Sequence, residues 1–110
     1  MRQRDIYELY PDPIVGSEQS GRRLAVIISG NLVNERVNTV IAIPMTSQLK
    51  RYPGNLILEP TSSNGLTVTS EVMSIHVRSV AKERLGNKLG SITKAELETI
   101  KVGLDKILRY

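Results

Sequence analysis

The chain has 110 residues, 40% hydrophobic and 24% charged, the balance of an ordinary globular domain, read here as one domain over 1–110. It holds no Cys and a single His, His76, which excludes disulfides, thiolate metal sites, cysteine nucleophiles and any pairing of two histidines within one chain. Fifteen basic residues, nine of them Arg, against eleven acidic give +4 with no basic or acidic tail, a surplus that permits phosphate binding without requiring it.

The N-terminus, MRQRDIYELYPDP, has positive charge but no apolar run behind it, so it does not read as a signal peptide. Asp5 to Tyr10 is a strand, closed by Pro11-Asp12-Pro13, which cannot continue one. Gly16 to Arg23 is a polar loop between glycines. Leu24 to Ser29 is apolar without alternation, the pattern of a strand buried on both faces. Gly30 to Asn38 is a polar connection with room for one helical turn. Val40 to Met45 is a second fully buried strand, expected to stop near Pro44. Neither apolar run approaches the roughly 20 residues of a membrane span. A soluble, cytoplasmic protein with no membrane partner is the expectation.

Thr46 to Gly54 reads as a loop, Asn55 to Glu59 as a strand, and Ser62-Ser63-Asn64-Gly65 as a turn. Leu66 to Thr69 alternates with apolar residues at even positions, and Met73, Ile75 and Val77 alternate at odd ones. The phase change predicts a bulge near 70–72 between two strand segments. It also predicts Met73, Ile75 and Val77 facing the core, with Ser74, His76 and Arg78 together on the opposite face. Thr93 and Glu96 form a capping box for a C-terminal helix, with Ile92 and Leu97 as its hydrophobic staple. Leu97, Ile100, Leu104, Ile107 and Leu108 make its apolar face. Gly103 inside that helix costs about 1 kcal/mol relative to Ala and implies a closely packed neighbour. Five or six short strands with one long helix indicate an α+β fold, a bent antiparallel sheet or half-open barrel carrying the helix.

The chemistry is confined to loops. The carboxylates show no metal-ligand spacing, and there is no P-loop or G-x-G-x-x-G, so neither metal nor cofactor is expected. The Gly16–Arg23 loop carries Glu18 and two arginines directly before a buried strand, and Thr46-Ser47-Gln48 follows another. Arginine forks and hydroxyls together suit a phosphodiester. Singly, each feature has a plainer reading: a solvated loop, surface charge, turn chemistry, a half-exposed sheet histidine, an Arg78 paired with Glu71 or Glu83.

In order, they resemble a known family. Asp5-Ile6-Tyr7, Pro13-Ile14-Val15-Gly16-Ser17-Glu18-Gln19 and Gly21-Arg22-Arg23-Leu24-Ala25-Val26-Ile27-Ile28-Ser29 resemble the opening of the MazF/PemK-like toxins. Ile43-Pro44-Met45-Thr46-Ser47-Gln48 resembles their second-strand exit. Arg78-Ser79-Val80, Lys82-Glu83-Arg84-Leu85 and Lys88-Leu89-Gly90-Ser91-Ile92 resemble the segment leading to their last helix.

The resemblance implies a small SH3-like antiparallel β-barrel of the CcdB/MazF type with a C-terminal α-helix, working as a homodimer. It implies the toxin of a type II toxin–antitoxin system, a metal-independent endoribonuclease cutting single-stranded RNA to a 2′,3′-cyclic phosphate and a 5′-hydroxyl. The RNA's own 2′-OH is the nucleophile, so the protein orients, moves protons and holds developing charge. Arg23 falls on the family's catalytic arginine, Thr46 on its catalytic threonine, and Glu18 on the acidic residue of the Gly-Ser-Glu-Gln loop. Arg23 would stabilise the phosphorane, Thr46 hold the phosphate or relay a proton, and Glu18 orient Arg23 or act as base. Ser17, Gln19, Arg22, Ser47, Gln48, His76 and Arg78 are the RNA-binding candidates. The implied partners are RNA, a cognate acidic antitoxin whose C-terminal peptide blocks the RNA groove, and operator DNA through the antitoxin complex only.

Two positions depart from the family pattern. Leu24 replaces a usual Pro, and Ile75-His76 replaces a usual acidic residue followed by Gln. His76 is then either an RNA ligand, a base suited to neutral pH, or structural. Two other readings stay open: a CcdB-like gyrase poison, and a catalytically weakened member acting through its antitoxin.

Overall fold

In the computed structural model the described residues are 1–10 and 23–110. They form seven strands and two helices: β1 Asp5–Leu9, β2 Arg23–Ile27, α1 Asn31–Arg36, β3 Thr39–Thr46, β4 Leu56–Leu58, β5 Ser70–Val72, β6 Arg78–Ala81, β7 Leu85–Ser91 and α2 Lys94–Arg109. The strands make one antiparallel sheet in the order β4-β5-β3-β2-β1-β7, with β6 also on β3. The sheet curls into a half-barrel. Its β7 end is met by the 61–66 turn, where Ser91 N–H donates to the Ser63 carbonyl at 2.9 Å. Gly90 makes this approach possible, because a Cβ there would stand 2.2 Å from that carbonyl oxygen.

Side-chain alternation gives the curled sheet two buried faces. On one, Ile6, Val26, Ile43, Met45 and Val72 pack with Leu97 and Ile100 of α2. On the other, Leu9, Ala25, Ile27, Val40, Ala42 and Val80 form a second cluster. β2 and β3 contribute to both, as their unbroken apolar runs predict, but β3 is not fully buried, since Ile41 is 43% exposed.

The C-terminal helix begins as expected. Glu96 N–H donates to Thr93 Oγ1 at 3.0 Å and Thr93 N–H to Glu96 Oε1 at 2.8 Å, while Ile92 and Leu97 are buried in the same cluster. Its apolar face is narrower than predicted: Ile107 is half-buried while Leu108, the next residue round the helix, is 85% exposed. Gly103 does meet a close neighbour, since a Cβ there would lie 2.1 Å from the Gly54 carbonyl oxygen.

Three expectations need correction. Pro44 does not stop the second buried strand but lies inside β3. Its carbonyl accepts Met73 N–H at 3.0 Å, on the edge where β6 leaves off at Ala42 and β5 begins at Met45. The missing N–H therefore falls between two partners and breaks no ladder. Leu66–Thr69 is not a strand; Leu66 turns into the core while Val68 is exposed.

Met73–Val77 is not a strand either: Ser70–Val72, expected to be the bulge, is strand β5, the bulge follows it, and of the expected core face only Met73 is buried. Ser74–His76 is a 3₁₀ turn, with Ser74 fully buried, Ile75 58% exposed and Val77 40% exposed. The cause is arithmetic. Met45 pairs with Val72 and Ala42 with Arg78, so β3 advances three residues while its partner chain advances six. The three surplus residues bulge out, and a period of three replaces a period of two. Ser74, His76 and Arg78 thus do not share a face.

Candidate functional site

β2 begins at Arg23 and β3 ends at Thr46. The register Leu24↔Met45, Ala25↔Pro44 and Val26↔Ile43 sets Arg23 opposite Thr46, one step beyond the last registered pair. Leu24 and Met45 point to the α2 side, so alternation sends Arg23 and Thr46 to the other side together. Arg23 is exposed and Thr46 half-buried. Thr46 Oγ1 accepts Gln48 N–H at 3.1 Å, which orients the hydroxyl at the strand exit.

An open groove of about 470 Å³ lies at this end of the two strands. Arg23, Thr46, Ser47 and Gln48 line it, with Leu24, Met45 and Leu89 supplying apolar wall and Thr67 and Ser70 further hydroxyls. One cation, several hydroxyls, a carboxamide and an apolar strip are suited to a phosphodiester with its adjoining base or sugar. Ser17, Glu18, Gln19 and Arg22 lie outside the described residues.

His76 and Arg78 do not line the groove. Arg78 opens β6 opposite Ala42, four residues from Thr46, or roughly 14 Å at the rise of a strand. It lies on the same sheet face as Thr46, since positions 42, 44 and 46 alternate alike. His76 is exposed on the 3₁₀ turn, its N–H donating to the Met73 carbonyl at 2.9 Å.

Sequence reasoning offered Glu71 only as a partner for Arg78, whereas its carboxylate is taken up by the 50–55 loop. Glu71 is fully buried and pairs in register with Thr46, so Arg23, Thr46 and Glu71 form a row across β2, β3 and β5. Its carboxylate accepts the N–H groups of Lys50, Arg51 and Tyr52 at 2.5, 2.8 and 3.1 Å and the Asn55 amide at 2.7 Å. Burial pushes this carboxyl up. The Asn55 amide and the three backbone N–H groups outweigh burial and hold it below its ordinary value. Its one signal in the sequence is a carboxylate between Ser70 and Val72-Met73, where an apolar residue would fit a buried strand. Among the described residues no group of three or more His, Asp or Glu side chains is placed to hold a metal ion, and no helix is long and apolar enough to cross a membrane.

A family model described as PemK-like, MazF-like toxin of type II toxin–antitoxin system matches residues 2–108. The chain is 32% identical over 97 residues to the endoribonuclease toxin MazF of Escherichia coli K12, covering 88% of this chain and 84% of that one. It is 33% identical to the endoribonuclease MazF9 of Mycobacterium tuberculosis, over 96% of this chain and 97% of that one. Among solved structures it resembles MazF of Deinococcus radiodurans, with a TM-score of 0.79 and 28% identity over 100% of this chain and 97% of that one. A MazE–MazF structure from the same organism gives a TM-score of 0.80 and 26% identity, over 98% and 95% of the respective chains.

Proposed function

We propose that this chain, which belongs to the PemK-like, MazF-like toxins of type II toxin–antitoxin systems, is an endoribonuclease that cuts single-stranded RNA without a metal ion, in the groove that Arg23 and Thr46 border. The observation that carries the reading is the placement of these two residues at the adjoining ends of β2 and β3, both lining the groove. Both relatives named endoribonuclease span nearly the whole chain.

The reaction needs little from the protein beyond placement and charge. The ribose 2′-oxygen attacks the adjacent phosphorus, the bond from phosphorus to the 5′-oxygen breaks, and a 2′,3′-cyclic phosphate and a 5′-hydroxyl result. One proton leaves the 2′-OH and one arrives at the 5′-oxygen. Arg23 opposes the charge that gathers on the phosphorane oxygens, where a fixed guanidinium is worth most. Thr46 holds a non-bridging oxygen or relays a proton, with Ser47 and Gln48 beside it to bind the backbone. Glu18 orients Arg23 or takes the 2′-OH proton, and Ser17, Gln19 and Arg22 extend the binding surface. Arg78, on the same sheet face but roughly 14 Å away along β3, suits a phosphate several nucleotides from the cut.

The working unit in this reading is a cytoplasmic homodimer of single-domain chains. A cognate acidic antitoxin silences it by laying its C-terminal peptide in the groove, and operator DNA is bound only through that complex. One of the two D. radiodurans neighbours is a structure of MazE–MazF.

The test is incubation of the purified protein with long RNA in EDTA, with end analysis of the fragments. Cleavage to cyclic-phosphate ends supports the reading. Arg23→Ala, a change at an exposed residue that leaves the core intact, lowers the rate about 10²–10³-fold. Cleavage that requires added divalent metal, or an Arg23→Ala variant as fast as wild type, refutes it. Intact RNA together with gyrase inhibition points to the CcdB-like alternative.

A further inference from the structure

A carboxylate in a protein interior is costly unless every lone pair is engaged. Glu71 Oε1 takes the Lys50 and Arg51 N–H groups, and Oε2 takes Tyr52 N–H and Asn55 Nδ2. Three consecutive backbone N–H groups converge on one side chain. The loop is bent to allow this: Arg51 has φ +57°, a left-handed conformation that residues with a Cβ seldom adopt.

The same network continues through Asn55. Its Oδ1 accepts Ser74 N–H at 3.1 Å, and its amide reaches Met73 Sδ at 3.6 Å. One buried acid thus ties the end of β3, the 50–55 loop, β5 and the 3₁₀ turn to each other. Thr46 is the residue most exposed to any slack in it. It is the last residue of β3 and stands in register with Glu71. Only Ser47, Gln48 and Leu49 separate it from the first clamped amide at Lys50. Within that span Gln48 N–H is the donor that orients the Thr46 hydroxyl.

We propose that Glu71 is a positioning residue of the groove: by clamping Lys50–Tyr52 beside its cross-strand partner Thr46, it fixes the direction of the Thr46–Gln48 segment and with it the Thr46 hydroxyl. The catalytic consequence rests on the ribonuclease reading above; the geometric one does not. Glu71 touches no substrate in this account and acts only through the loop and its strand partner.

The experiment uses Glu71→Gln, which keeps the shape but turns an acceptor oxygen into an NH₂ group facing N–H donors. Asn55→Ala, which removes the side-chain donor to Glu71 and with it the acceptor of Ser74 N–H, is its companion should Glu71→Gln not fold. Two readouts are taken on protein shown to be folded by far-UV circular dichroism. One is kcat and KM on a short single-stranded RNA containing a cut site. The other is the amide chemical shifts of Thr46, Ser47 and Gln48, with hydrogen exchange at Lys50–Tyr52. The expected result is a kcat lower by about 10²-fold, the scale of a small misplacement of a reacting group, with KM little changed. Moved Thr46–Gln48 resonances and faster exchange at the three clamped amides accompany it; in Asn55→Ala the same split appears at smaller amplitude. A folded variant with wild-type kcat, or with unmoved Thr46–Gln48 resonances, overturns the proposal, because a merely structural tie lowers the melting temperature and nothing else. If wild-type protein cleaves no RNA, the ribonuclease reading falls and the amide readout still decides the clamp.

Discussion

Gly103→Ala tests whether close packing outweighs helix propensity where α2 meets the sheet's loop. In a free helix the change gains about 1 kcal/mol. Here the new methyl would stand 2.1 Å from the Gly54 carbonyl oxygen, more than 1 Å inside ordinary van der Waals contact, whose optimum is about 3.5–4.0 Å. The obstacle is backbone, not a side chain that can swing away, and Gly54 has φ +88°, a turn with few alternative conformations. Relief therefore requires α2 to lift or the 52–55 turn to shift. Overpacking of this kind costs about 1–3 kcal/mol, which exceeds or cancels the propensity gain and leaves a net loss of up to about 2 kcal/mol. For a chain this size each kcal/mol is about 4–8 °C, so thermal denaturation followed by circular dichroism resolves it. The turn being pushed precedes Asn55, so the Glu71 network should loosen too, and cleavage should slow with the fall in melting temperature. A rise in melting temperature would show that the interface yields freely and that Gly103 is there for some other reason.

The Glu71 carboxyl sits below its ordinary value of 4.5, so the unfolded chain takes up its proton first as pH falls. Its contribution is fully present above about pH 4.5 and is lost as pH drops through the lowered folded value; melting temperatures from about pH 7 to about pH 3 should show that acid limb in wild type and a shallower one in Glu71→Gln. His76→Gln should keep most of the activity, with pH–rate profiles superimposing on wild type between about pH 5.5 and 8; a loss of about 10²-fold with a vanished acid limb would make His76 a general base. Light scattering should give twice the 12.2 kDa chain mass at micromolar concentration, and a clean monomer counts against the dimer.

The parts of the fold set by local chemistry were legible. The capping box at Thr93–Glu96 and the two-faced burial of β2 and β3 each follow from residue type and spacing, because each depends on contacts within a turn or across adjacent strands. The 73–77 segment was not. Alternation at Met73, Ile75 and Val77 is genuine in the sequence, but what decides the backbone there is the unequal spacing of two pairings on β3. No window of seven residues contains that information. Glu71 escaped for a related reason: a lone acid in an apolar stretch is legible as an oddity, whereas its partners, Lys50 to Tyr52 and Asn55, are 16 to 21 residues away. Of the candidate site, Arg23, Thr46, Ser47 and Gln48 do come together, since strand ends in register share a rim.

The 3₁₀ turn also bears on the missing acid at position 75. Family resemblance leads one to expect a carboxylate there and Gln at 76, and strand alternation would have buried the first beneath the sheet. The observed turn instead lifts Ile75 and His76 outward on the three surplus residues, with Ser74 taking the interior place and its hydroxyl finding no partner among the described residues. An acid at 75 would thus have stood on an exposed excursion that begins only after β5 has left β3. The Arg23–Thr46 pair depends on something else, the β2–β3 register, and Thr46 is backed by Glu71 on its far side. Replacing that acid with Ile removes a charge from the turn and leaves the row across β2, β3 and β5 as it was. The departure from the family pattern therefore subtracts a carboxylate without disturbing the placement of Arg23 and Thr46. In the proposed ribonuclease reading, a protein altered in this way keeps the geometric and electrostatic share of the catalysis, and the loss falls on the proton-transfer step alone.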